Sequence, residues 1–289
     1  MDFKTGDKEE HKEGFLYLCA TPIGNLSDIS TRVLDTLKEA DLIAAEDTRN
    51  TIKLLNHFGI KTPMTSYHEY NKYDKAAELI GLIRQGKDIA LVTDAGTPAI
   101  SDPGEVLVRM CHEEGIRVTS LPGPCALITA LTLSGMPARR FCFEGFLPSE
   151  KKERKEILGQ IASEQRTVIL YEAPHHLRET LKQLFDAMGN REICICKELT
   201  KKHERYMQTT LEEAISHYSE NEPRGEYVLI IKGLDPAQIR TKEQEIWLKM
   251  PIEEHMAIYE AKGLDRKECM KRVAMDRGQS KREVYQQLL

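Results

Sequence analysis

Several familiar signatures are missing from this sequence, and each gap removes a class of function. No apolar run approaches the roughly 18 residues that cross a bilayer as a helix, so no membrane span is expected. Met1 to Glu13 is charged rather than apolar and reads as a disordered tail over residues 1–14, not as a secretory leader. The seven cysteines contain no C-x-x-C pair, the spacing typical of zinc or redox sites. No G-x-G-x-x-G follows the first strand candidate, and no G-x-x-x-x-G-K-[ST] occurs. A dinucleotide-dependent dehydrogenase and a phosphate-loop NTPase are thereby excluded. No compact His/Asp/Glu cluster proposes a metal.

What remains describes an ordinary globular chain. Its 289 residues suit one large or two small domains plus appendages, and 40% hydrophobic with 30% charged residues allows an ample core. Cys19, Cys111, Cys125, Cys142, Cys194, Cys196 and Cys269 sit mostly in apolar runs. Reduced, buried thiols and a cytoplasmic location follow as the expectation. The net charge of -5 is no mark of a nucleic-acid coat, yet local charge matters more than the total. Between Lys262 and Arg282, eight basic residues face three acidic ones, 8 − 3 = +5, so the carboxyl end is cationic on an acidic molecule.

Hydrophobic periodicity predicts alternating elements in the first half. Strands are expected at 15–20, 41–45, 88–93 and 117–121, and helices at 31–40 (capped by Ser30), 51–58, 74–85 and 105–114. Such alternation predicts a mainly parallel sheet with helices on both faces. Pro122-Gly123-Pro124 is a natural hinge. Beyond it, strands at 140–146, 167–171, 192–197, 205–209 and 226–232 mix with helices at 125–133, 151–162, 174–188 and 211–218. The expected organisation is α/β: one domain over 15–122, a second over 123–233, and an interdomain cleft. Residues 234–289 would form a linker, drawn at Gly233 to Thr241, and three or four short helices from Glu243.

Three loops carry unusual backbone chemistry. Thr21-Pro22-Ile23-Gly24-Asn25 follows the first strand. Asp94-Ala95-Gly96-Thr97-Pro98 follows a buried strand and runs on to Asp102-Pro103-Gly104. Pro122-Gly123-Pro124-Cys125-Ala126 leads into a helix. Any one of them alone reads as a tight turn. Three at strand ends point to a ligand cleft lined by main-chain groups.

These loops, with Leu42 to Leu55, Ser66 to Asn71 and Tyr171 to Glu179, carry a specific resemblance. Taken in order from about Phe15 to Gly233, the chain resembles the tetrapyrrole methylase superfamily. Its ribosomal RNA branch, which acts on a 2′-hydroxyl of a decoding-region cytidine in 16S rRNA, is the nearest in pattern. Ala45-Glu46-Asp47-Thr48-Arg49 and Ser66-Tyr67-His68-Glu69 match that branch, and Pro22-Ile23-Gly24-Asn25 stands where porphyrin-methylating members carry a G-P-G-D loop. The resemblance implies a homodimer binding S-adenosylmethionine in the interdomain cleft and acting on 16S rRNA or the small ribosomal subunit. It implies cofactor contacts from Ile23, Ala95, Gly96, Thr97, Ile100, Cys125, Ala126 and Glu172. Cys125 stands where the family often has a small or hydroxyl residue.

Methyl transfer from a sulfonium demands alignment, together with a group that accepts the proton of the ribose hydroxyl or steadies the alkoxide. The candidates are Asp47, Arg49, His68 and Glu69, with Glu172, His175 and His176 as further polar candidates. Asp47 and Arg49 either face the cleft or form a local ion pair capping the next helix. Glu198 to Arg205 reads as a solvated charged face. RNA requires cations and stacking groups. Lys151, Lys152, Arg154, Lys201, Lys271 and Arg272 are the candidate phosphate contacts, and Tyr67, Tyr70 and Tyr73 are spaced to stack on bases. The basic carboxyl-terminal helices would touch RNA or stabilise a dimer.

Overall fold

The computed structural model describes residues 13–289, and residues 1–12 of the expected tail lie outside the described residues. The chain joins the fold earlier than expected: Gly14 is buried, and its N–H donates to the Ile83 carbonyl at 2.8 Å.

The first half alternates strictly. Its elements are β1 (Leu16–Cys19), α1 (Thr31–Glu39), β2 (Leu42–Ala45), α2 (Thr48–His57), β3 (Met64–Ser66), α3 (Lys72–Arg84), β4 (Ile89–Val92), α4 (Gly104–Glu113) and β5 (Val118–Leu121). The strands form one all-parallel sheet in the order β3-β2-β4-β1-β5. Successive side chains on a strand point to opposite faces, and the sequence uses both. Leu16, Leu18, Ile89 and Leu91 meet Leu79 and Ile83 of α3 and Leu107 of α4. Cys19, Ala90 and Val92 meet Val33 and Leu37 of α1 and Leu55 of α2. That double burial explains why these strands read as continuous apolar runs rather than alternating ones.

Two details differ from expectation. The short strand β3 has no counterpart among the expected strands, because Met64-Thr65-Ser66 has no apolar run and only half-buried positions. In addition, α2 begins three residues early, at Thr48, because Asp47 accepts the Arg49 N–H and caps it.

The second half comprises α5 (Ala126–Ser134), β6 (Phe141–Phe146), α6 (Lys151–Ala162), β7 (Thr167–Glu172), α7 (Leu177–Met188), β8 (Glu192–Lys197), β9 (Arg205–Thr210), α8 (Leu211–Glu220) and β10 (Tyr227–Ile231). Its sheet runs β6-β7-β10-β8-β9, and only the β6–β7 pair is parallel. Leu229 and Ile231 of the central strand pack towards α7 and α8, whereas Val228 and Ile230 pack towards α5. The α5 cluster also contains Ile23, from the loop after β1. A first-half side chain is thus part of the second-half core.

Four helices close the chain: α9 (Pro236–Lys249), α10 (Ile252–Glu260), α11 (Arg266–Arg277) and α12 (Lys281–Gln287). The linker expected at 233–241 is cut short, because Asp235 caps α9 and Pro236 occupies its first turn. Ile252, Met256, Cys269, Val273 and Val284 form a small separate core. Beside it, the fully buried His255 stacks on Trp247 with ring centroids 4.1 Å apart. His255 Nδ1 accepts from Arg277 at 3.2 Å, and Nε2 lies 3.2 Å from Asp276. Arg277 also donates to the Met250 carbonyl, so one of the eight basic residues of this region serves to hold helices together.

Candidate cofactor cleft

The three glycine- and proline-rich loops meet at one place. Thr21 and Gly96 exchange a pair of backbone hydrogen bonds, 2.9 and 3.0 Å long. The Thr97 hydroxyl donates to the Pro124 carbonyl at 3.0 Å, tying the second loop to the third. Gly96 has φ +87°, and a Cβ built there would lie 3.3 Å from Ile23 Cγ2 and 3.5 Å from the Pro124 oxygen. Glycine is required for the backbone angle as well as for the closeness of its neighbours.

Downstream, Ala99 also holds a left-handed φ of +66°. For a residue with a Cβ this costs on the order of 1 kcal/mol or more. Asp102 offsets the cost by accepting the Ala99 N–H at 2.8 and 3.0 Å and the Gly104 N–H at 2.9 Å. This turn leaves Ile100 exposed at the edge of the resulting cavity.

The cavity has a volume of about 530 Å³, within the usual range for a small-molecule site. Ile23, Ala95, Gly96, Thr97, Ile100, Cys125, Ala126 and Glu172 all line it. Phe146, Tyr171, Leu199, Tyr227 and Val228 of the second half form the opposing wall. Among the described lining residues four are carboxylates, Asp94, Asp102, Glu172 and Glu226, and none is Lys, Arg or His. The interior is therefore suited to a cation and unsuited to a phosphate.

Each carboxylate is held differently. Glu172 is buried; one oxygen accepts the Ala173 N–H at 2.8 Å and the other a short bond from the Thr180 hydroxyl. Glu226 pairs with Lys201 at 2.9 Å. Asp94 accepts the Asp47 N–H at 3.2 Å and the Asn50 side-chain amide at 3.1 Å. Burial raises the Asp94 pKa above its ordinary value, and the nearby Glu46 and Asp47 carboxylates add to the rise against the lowering bond from Asn50. Cys125 stands at the N-cap of α5 without a side-chain capping bond, while its carbonyl accepts from Thr129.

The sequence pattern of the family described as Tetrapyrrole (Corrin/Porphyrin) Methylases matches residues 16–215. The chain belongs to the tetrapyrrole methylase family. A protein of Halalkalibacterium halodurans named ribosomal RNA small subunit methyltransferase I is 47% identical over 280 residues, 96% of either chain. The Bacillus subtilis protein of the same name is 45% identical over 272 residues, 94% of this chain and 93% of its own. Among solved structures, a diphthine synthase (TM-score 0.59, 14% identity) covers 76% of this methylase and 90% of its own chain. A uroporphyrin-III-C-methyltransferase of Thermus thermophilus (TM-score 0.55, 17% identity) covers 76% and 94%. These two share the fold of this family member.

The remaining residues singled out from the methylase sequence stand elsewhere. Asp47 and Arg49 form the local capping pair, 2.7 Å between Arg49 Nη2 and Asp47 Oδ2, and the Arg49 side chain is 87% exposed. The guanidinium bond is the main reason the Asp47 carboxyl is lowered to about 2. Neither residue lines the cavity, although the Asp47 N–H supports Asp94. His68 is half-buried with no hydrogen-bond partner at Nδ1, and the exposed Glu69 is bonded to Lys72; neither reaches the cavity wall. His175 and His176 are both exposed, with ring centroids 4.1 Å apart.

Tyr67 is buried and donates to the Pro103 carbonyl at 2.9 Å, so it is unavailable for stacking; Tyr70 and Tyr73 are exposed. Arg154 is turned inward, donating to Gln183 at 2.5 Å and to the Thr180 hydroxyl at 2.7 Å. Through Thr180 it braces Glu172 from behind. Lys201 is engaged by Glu198 and Glu226, and its stem lies where a side chain on Gly24 would stand. The stretch expected to be a solvated face is thus partly built into the cleft. Lys151, Lys152, Lys271 and Arg272 are exposed. Sequence reasoning missed Asp94 as a distinct group, the second wall apart from Glu172, and the left-handed Glu198 and Thr200, φ +52° and +64°, that flank Leu199.

Proposed function

We propose that this chain is a cytoplasmic methyltransferase, acting as a homodimer, that transfers the methyl group of S-adenosylmethionine to the 2′-hydroxyl of a cytidine ribose in 16S rRNA. The observation that carries the reading is the cleft: three backbone loops close on a cavity of about 530 Å³ whose described lining holds four carboxylates and no Lys, Arg or His. The relatives' names, ribosomal RNA small subunit methyltransferase I, supply the substrate class.

The residues present fit such a cofactor. Ile23, Ile100, Leu199 and Val228 offer apolar surface to a nucleoside. Main-chain groups at Ala95, Thr97 and Ala126 offer hydrogen bonds, Gly96, whose own N–H and C=O are paired with Thr21, allows close approach, and Cys125 contributes through its main chain. Acidic surroundings suit a sulfonium centre. Bound S-adenosylmethionine supplies an electrophilic methyl carbon on a positively charged sulfur.

The chain's own residues then have two tasks. The first is alignment: the paired backbone bonds of Thr21 and Gly96, and the Thr97 to Pro124 bond, fix the loops before a ligand arrives, so little ordering is left for the binding step. The second is proton acceptance. Asp102 and Glu172 have their oxygens committed to N–H and O–H donors, and Glu226 to Lys201. Asp94 also accepts one bond on each oxygen, but at 3.1 and 3.2 Å these are the longest of the set and neither donor is a cation, which leaves it the lining carboxylate best able to take the hydroxyl proton on an Oδ atom. A carboxyl with raised pKa is the stronger base of its kind. Asp47 and Asn50 enter this reading as the residues that hold Asp94 in place, with Arg49 pinning Asp47.

Calorimetry with S-adenosylmethionine should show one site per chain. Labelled cofactor incubated with assembled small subunits or with naked RNA should place label in ribose. Label in a base or in protein would refute the assignment, and absence of cofactor binding would leave a non-catalytic relative. Sedimentation reads the dimer.

A further inference from the structure

Among the aromatic wall residues, one is out of keeping with the others. Phe146 closes β6, lines the cavity, and yet is 57% exposed. An exposed phenyl ring at the cavity rim loses the hydrophobic stabilisation that burial would give it, so its placement requires another explanation.

Its position is set by a defect in the sheet. Pairing between β6 and β7 runs in register from Phe141↔Thr167 to Phe143↔Ile169, then shifts, so that Gly145 pairs with Leu170 and Phe146 with Tyr171. One extra residue on β6 is a bulge, and Gly145 takes it up at φ +64° with nothing within 4 Å of a built Cβ. Without the shift, the alternation of the strand would place Phe146 on the opposite face. Bulges of this kind re-aim a side chain, and here the side chain is aimed at the cavity mouth.

The ring rests on a fixed partner. Phe146 and Tyr171 lie with centroids 5.6 Å apart at 62°, an edge contact that does not cover a ring face as stacking would. Tyr171 is in turn packed by Phe143 at 4.9 Å, and its hydroxyl accepts the Leu127 N–H at 3.2 Å. Soon after Phe146 the chain enters α6, whose first turn exposes Lys151 and Lys152. The same cavity is also lined by Asp94. An aromatic face, flanking cations and a carboxylate to accept the proton of the sugar hydroxyl thus border one cavity.

We propose that Phe146 is the stacking platform for the base of the acceptor nucleotide, set in position by the bulge at Gly145. The base is drawn out of its neighbours' stack, lies against the phenyl face, and so presents its ribose hydroxyl to the interior, while Lys151 and Lys152 meet flanking phosphates. Stacking is the usual way an unstacked RNA base is held, because every base has a π-face. This rests on the RNA-methylation reading above.

The test uses the full chain, small ribosomal subunits and labelled S-adenosylmethionine. Phe146→Ala and Phe146→Leu should each raise KM for the subunit about 10- to 100-fold, and Phe146→Trp should restore it to within a few-fold of the starting protein. Cofactor affinity by calorimetry should stay within about twofold. Equal loss in the Leu and Trp variants, or no loss in any, overturns the platform. A matching loss of cofactor affinity would assign the ring to the cofactor instead, and a change in sedimentation would assign it to a contact between copies; either overturns the proposal. If the unsubstituted protein binds cofactor but labels no RNA, the parent reading has failed rather than this one.

Discussion

The two sheets build one cavity by opposite means. The first, all parallel, gives its loops: residues 21–25, 94–102 and 122–126 approach with their backbones, and most of the lining side chains are small. The second, mostly antiparallel, gives side chains that stand on or beside its strands: Phe146, Tyr171, Glu172, Leu199, Tyr227 and Val228. A parallel sheet collects loops at the carboxyl ends of its strands, where a ligand can be gripped by main-chain groups. An antiparallel sheet offers an even surface whose identity can change one residue at a time.

That contrast can be broken by experiment. The largest effect should come from Asp94→Asn, which removes the proposed proton acceptor: kcat for RNA should drop by about 10²- to 10⁴-fold with cofactor affinity little changed. The pH profile is a second check. The ionised form of Asp94 is the competent one and its pKa is raised by burial, so activity should climb as pH increases through that raised value and be lost below it. The acid limb should vanish from the residual activity of the variant. Full activity in Asp94→Asn would move the base elsewhere.

Next in size is Gly96→Val, which forces a β-branched residue to φ +87° and a Cβ against Ile23 and the Pro124 carbonyl. A cost of about 2–3 kcal/mol in the cleft predicts roughly 30- to 150-fold weaker cofactor binding, read by calorimetry, with circular dichroism unchanged. On the other wall, Leu199→Ala should cost only about 1–2 kcal/mol of apolar contact, a loss of about 5- to 30-fold in the same measurement. A larger loss at Leu199 than at Gly96 would invert the comparison.

The smallest effect concerns the cationic end. Lys271→Ala combined with Arg272→Ala should leave cofactor binding intact and flatten the dependence of log K for RNA on log salt, by about 0.7 to 0.9 for each phosphate contact removed. An unchanged slope would leave those helices to dimer contacts.

The sequence was most legible where one principle dominated. Runs such as Ile89–Val92 and Tyr227–Ile231 are buried on both faces, and their composition said so. The three loops could be assigned to a cleft because their glycines and prolines have few other uses. By contrast, β3 was unreadable because Met64 is its one apolar residue and no run forms, and the Tyr67, Tyr70 and Tyr73 spacing misled for Tyr67 because α3 starts only at Lys72. Of the second wall only Glu172 was foreseen, since Leu199 and Val228 look like any core residue; only their neighbours across space make them lining. Two signals were present but unread: Gly145 inside a strand pattern marks a bulge, and Asp235-Pro236 is a cap followed by a helix-starting proline.

The seating of Ile23 among Leu127, Leu131, Ile169 and Val228 has a genetic corollary. A side chain borrowed by the other half's interior means neither half is complete on its own. A gene cut at the proline hinge should yield two fragments that are poorly soluble apart and regain structure only when expressed together, and recombination between relatives should favour exchanging the loop after β1 along with α5.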